Sequence, residues 1–157
     1  MLIAVLVVAA GLLTWGCGGG DDETSSERPS PAQSRAFAGA YRPIATDLLV
    51  LKTQYRGATQ AINPDTGPRA APTFARWARE MRTLARRTAA LPAPGALRER
   101  RDRLADFMNA VARDLGNLAA AARRDDQPAA VNAIENARGH TQGLDAAQRE
   151  LVAATRR

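Results

Sequence analysis

Beyond residue 30, apolar residues recur at alternating steps of three and four along almost the whole chain. That spacing puts them on one stripe of an α-helix and restricts the fold to packed helices. Phe37, Tyr41, Ile44, Leu48, Leu51, Tyr55 and Ile62 form the first stripe. Phe74, Trp77, Met81, Leu84 and Leu91 form the second, with Thr88 in register. Leu97, Leu104, Met108, Val111, Leu115, Leu118 and Ala122 make a heptad seam with Arg101 at one seam position. Ala130, Ile134, Ala137, Leu144 and Leu151 form the fourth, flanked by Val131 and Val152. The expected fold is all-α, an up-down-up-down four-helix bundle over residues 31–157, because short connections make neighbouring helices antiparallel.

Breaks between the stripes carry recognisable end signals. Ser30-Pro31-Ala32-Gln33 reads as a capping box with proline at the first helical position. Pro43 lies inside the first helix, where it removes a bond to the Gly39 carbonyl and predicts a bend between the two. Asn63-Pro64-Asp65-Thr66-Gly67-Pro68 opens a turn-rich loop running to Pro72, so the second helix is expected from about Thr73. Leu91-Pro92-Ala93-Pro94-Gly95 is the next break. Asp125-Asp126 supplies a cap for the fourth helix, with Pro128 in its tolerant first turn.

The first 30 residues are of another kind. The apolar run from Leu2 to Leu13 is too short to cross a bilayer core, which needs about 20 residues, and suits the hydrophobic part of a secretory signal. Cys17, the only cysteine, follows it directly after Gly16. Residues 18–30 are small, polar and acidic, the composition of a flexible tether. Leu13-Thr14-Trp15-Gly16-Cys17 resembles the lipobox of bacterial lipoproteins, although Thr14 stands where an aliphatic residue is usual and Trp15 where a small one is. The resemblance implies a signal peptide over residues 1–16, acylation of Cys17, and an extracytoplasmic protein anchored to the cell membrane through that lipid. An uncleaved signal anchor or a plain secretory signal are the alternatives. The chain is also similar to small Ala/Arg-rich envelope lipoproteins of high-GC bacteria, through stretches such as Leu91-Pro92-Ala93-Pro94-Gly95-Ala96-Leu97 and Leu118-Ala119-Ala120-Ala121-Ala122-Arg123-Arg124-Asp125. That likeness implies location and fold, and carries no substrate.

With one cysteine there is no internal disulfide, and stability must come from packing. The tether is acidic, which leaves 21 basic against 12 acidic side chains on the remainder, and Lys52 is the only lysine. GC-rich codon usage and selection for anion binding both account for so much arginine.

Chemistry-bearing constellations are scarce. A lone histidine does not make a zinc or di-iron site, and one cysteine excludes covalent haem attachment, so no cofactor, no metal and no catalytic residue are expected. Gly18-Gly19-Gly20 is tether and not a phosphate loop, since no Gly-Lys-Ser/Thr element follows. Two candidate surfaces remain. At 100° per residue, Arg79, Arg82 and Arg86 fall within about 60° of one another opposite the second stripe, with Arg76 alongside. Such a surface suits an anionic envelope polymer, lipid head groups or an acidic protein partner. Nucleic acid is not expected, because no aromatic residues interleave with the arginines to stack bases. The second candidate is a polar pocket near the fourth helix. Gly139-His140-Thr141-Gln142-Gly143 is an odd helical stretch, and Thr141 and Gln148 alternate with the apolar seam. Tyr41 and Tyr55 can line a small-molecule pocket there, entered through the glycines; a bent helix with self-bonded polar side chains explains the same pattern. The function expected is a non-catalytic binding or adaptor bundle, with a small-molecule or sensory domain as the alternative.

Overall fold

In a computed structural model that describes residues 29–59 and 66–156, the Ser30 and Gln33 side chains cap the first helix reciprocally. The Ser30 amide donates to Gln33 Oε1 at 2.8 Å and the Gln33 amide to Ser30 Oγ at 3.2 Å. Helix α1 then runs Pro31–Thr59 and is unbroken through Pro43. Its end is closed by Arg138, which donates from Nε and Nη2 to the Thr59 carbonyl at 3.1 and 2.7 Å, placing a cation where the helix dipole is negative. Cys17, the signal segment, most of the tether and Ile62 lie outside the described residues.

Helix α2 spans Ala71–Ala89, α3 Gly95–Arg123 and α4 Gln127–Thr155. α2 begins earlier than the expected Thr73, because Pro72 sits in its first turn, where a missing amide hydrogen costs nothing, instead of ending the loop. Leu91 belongs to the following loop and not to α2, though it still packs on the core. The α3–α4 turn is a Schellman closure. Asp125 takes a left-handed φ of 53°, the Asp126 amide bonds the Ala121 carbonyl at 3.0 Å and the Asp125 amide bonds Ala122 at 3.2 Å. Asp126 is the cap of α4, accepting from the Ala129 amide at 3.1 Å.

The four helices form an up-down-up-down bundle in which each packs on its two neighbours, with no close backbone approach across either diagonal among the described residues. Antiparallel pairing is visible in the cross-links. Trp77 Nε1 donates to Gln54 at 3.0 Å between α2 and α1, Thr88 Oγ1 meets Met108 Sδ at 3.5 Å between α2 and α3, and His140 meets Asp114 between α4 and α3. Every described residue of the expected α1 stripe is buried, as are all seven of the α3 seam. The α4 stripe is buried too, and Val131 stands beside it. It is 50% exposed and not part of the core. Arg101, the charged seam position, is half-buried and donates to the Leu91 carbonyl at 2.6 Å, tying α3 to the loop before it.

Candidate functional site

The arginines of α2 stand on its exposed side but do not converge. Arg79 borders a groove of about 410 Å³ between α1 and α2, which Asp47, Val50, Gln54, Glu80 and Arg87 also line. Arg82 leans the other way, with Nη2 3.3 Å from where a Cβ on Gly116 of α3 would stand. Arg86 bonds Thr83 Oγ1 at 3.1 Å. Arg76 is loosely paired with Glu80 at 3.8 Å, and Arg87 with Asp47 of α1 at 2.7 Å. Arg79, Arg82 and Arg86 have no acidic partner among the described residues. The face is therefore a spread of cations over one side of the bundle, suited to a surface with distributed negative charge.

The residues of the expected α4 pocket are divided between two seams. His140 points to α3, where its Nδ1 lies 2.7 Å from Oδ2 of the buried Asp114. Thr141, one position on, turns to α1 and pairs its hydroxyl with the Tyr55 hydroxyl at 3.1 Å, out of solvent. Gln148 also faces α1. Gly143 is not an entrance: a Cβ there would collide with the Phe107 ring, so the glycine exists to let α3 and α4 approach. Gly139 has open space around it. His140 thus leaves the pocket, while Thr141, Gln148, Tyr41 and Tyr55 remain together along α1 and α4.

Sequence reading missed the centre of that seam. Lys52, 8% exposed, donates from Nζ to Asp145 Oδ1 and, at 3.2 Å, to Gln148 Oε1. Arg56 donates to the other Asp145 oxygen. Two cations thus share one carboxylate across the α1–α4 interface. Burial alone would raise the Asp145 carboxyl, but the bonds and charges of Lys52 and Arg56 outweigh it and hold the group below the ordinary carboxylate range. Burial pushes the Tyr41 hydroxyl up to about 12, with Gln148 beside it acting weakly the other way. Tyr41 Oη is nevertheless buried with no partner in bonding geometry. Tyr55 is raised for the same reason, opposed by its bond to Thr141. The signal was present: Lys52 is four residues from Leu48 on the edge of the stripe, and Asp145 lies between Thr141 and Gln148 on the polar seam.

Among the described residues no three His, Cys, Asp or Glu side chains converge, and no helix is long and apolar enough to cross a membrane. Compared with family models, curated proteins and solved structures, the chain matches none.

Proposed function

We propose that this chain is an extracytoplasmic lipoprotein, tethered to the membrane through Cys17, whose bundle is a non-catalytic adaptor that docks polyanionic envelope surfaces through α2. The observation that carries the reading is the charge of α2. It exposes Arg76, Arg79, Arg82, Arg86 and Arg87 against a single Glu80, and three of the five have no acidic partner among the described residues. The long-range field of such a helix attracts anions, and it is screened over about 8 Å at physiological ionic strength. The lipobox-like segment supports the location. A lipid on Cys17 would bring the Arg face to the membrane surface, where head groups and phosphate-bearing polymers are concentrated.

The test uses the full chain expressed in a bacterium. Wild type is expected in the detergent phase on partitioning, and Cys17→Ser in the aqueous phase or as an uncleaved precursor. Arg79, Arg82 and Arg86 changed together to Gln, a good helix former, should keep the helical melt and lose most binding to anionic vesicles at low salt. Partitioning of the wild type into water with unmodified Cys17 refutes the anchor. Equal vesicle binding by wild type and triple variant refutes the docking face.

A further inference from the structure

On the other side of the bundle, the Lys52–Asp145 cluster opens into a cleft of about 430 Å³ along α1 and α4. Its walls are Lys52, Asp145, Gln148, Arg149, Val152 and Arg156, and it shares no residue with the Arg face of α2. We propose that this cleft binds a small phosphate monoester dianion.

The bonding capacity left in the cleft is mostly that of donors. Each Asp145 oxygen already accepts a charge-assisted bond, one from Lys52 and one from Arg56. Gln148 uses its oxygen on Lys52, which leaves its amide nitrogen to donate. Lys52 has spent two of its three hydrogens and keeps a third. Arg149 and Arg156 are exposed and have no acidic partner among the described residues, so each offers its whole guanidinium fork. A ligand that complements such a site is rich in acceptors.

Charge sets the kind of acceptor. Lys52, Arg149 and Arg156 against Asp145 leave the lining with two positive charges in excess, and Arg56 adds to this from just outside. A carboxylate brings one charge and two oxygens; a phosphate monoester brings up to two charges, matching the excess, and three terminal oxygens for the four donor groups to share. Val152 provides an apolar wall for the carbon part of the ester. The size of the cleft is within the range of small-molecule sites. Free phosphate esters and phosphomonoester lipid head groups share this chemistry.

Titration calorimetry of the full chain in neutral detergent, with inorganic phosphate, glycerol 3-phosphate and acetate as probes, tests the site. Flotation with phosphatidic acid vesicles provides the lipid arm. Saturable binding of the phosphate probes is expected, with acetate at least about tenfold weaker. Arg149→Gln with Arg156→Gln should weaken phosphate about tenfold without moving the melt, since both side chains are exposed and each charge-assisted contact contributes modestly. Binding to vesicles alone, lost in that double variant, also supports the site and identifies a lipid head group as the source. Binding to soluble esters alone identifies a free metabolite. Three results overturn the proposal: no binding of any phosphate probe, equal binding of acetate and phosphate, or binding that survives in the double variant. Loss of phosphate only on changing Arg79, Arg82 and Arg86 is one form of the last, and would leave the α2 docking reading standing.

Discussion

The two sides of α3 and the two sides of α1 are built from different materials. α2 and α4 bury Ala78, Ala85, Ala130, Ala133, Ala137 and Ala147, and α3 adds Ala105, Ala112, Ala119 and Ala122, so their backbones run close together along their length. α1 buries no alanine; it presents Phe37, Tyr41, Ile44, Leu48, Leu51, Lys52 and Tyr55, and its backbone stands further from both neighbours. Small side chains let helices approach and interlock through dispersion contacts. Long, partly polar ones hold the helices apart and fill the wider gap with a tyrosine hydroxyl, an amide and a charged triplet. The tight seams resist any added volume, whereas the wide seam has room for a cleft and groups that answer to charge and pH.

The comparison breaks most visibly at the two glycines of α4. Gly143→Ala should destabilise the fold by about 2 kcal/mol, because the new methyl must displace the Phe107 ring from the α3–α4 seam. Gly139→Ala meets nothing and should stabilise by up to about 1 kcal/mol through helix propensity. Urea midpoints for the two variants should therefore move in opposite directions. Equal shifts would mean that α3 and α4 are not in close contact at Phe107.

A smaller effect is expected from the charged triplet. Asp145→Ala leaves Lys52 beside Arg56 with only an amide as acceptor, and should cost about 2 kcal/mol at neutral pH. Lys52→Met, which removes a desolvated charge and still leaves Asp145 its Arg56 partner, should be close to neutral. The Asp145 pKa is depressed in the folded state, so its contribution is present above the ordinary carboxylate pKa and lost as pH falls through the folded value. The deficit of Asp145→Ala should accordingly shrink as pH falls below the ordinary carboxylate value of about 4 in urea titrations. A deficit independent of pH would mean that the carboxylate charge does not hold the seam.

These seams also mark how far the sequence could be read. Four helices, their antiparallel order and the large side chains of the core follow from stripes whose period admits one solution, whereas buried alanines such as Ala78, Ala112 and Ala133 were not singled out; the Ser30–Gln33 cap follows from local pairing alone. The glycine pair at 139 and 143 looked alike in sequence and is unlike in structure, since only one of them faces a ring from another helix. His140 and Thr141 are adjacent and so point 100° apart, which by itself sends them to different partners. The Lys52–Asp145–Arg56 cluster went unread because it joins residues about 90 positions apart, and only the register between α1 and α4 brings them together.

The smallest effect separates the two tyrosines of the wide seam. Tyr55→Phe leaves the buried Thr141 hydroxyl without its partner and should cost about 1 kcal/mol. Tyr41→Phe removes a buried hydroxyl that has no partner in bonding geometry, and should be neutral or stabilising by up to about 1 kcal/mol. Alkali sharpens the contrast. Because burial raises the folded Tyr41 pKa from 10.0 to about 12, its contribution is present below pH 10 and lost as pH climbs toward 12. Tyr41→Phe should therefore lose less stability than wild type over that window, measured as urea midpoints from pH 9 to pH 12. If the two phenylalanine variants are equally destabilised at neutral pH, Tyr41 is as firmly bonded as Tyr55, and Gln148 would then be committed to the core and lost as a donor to the cleft.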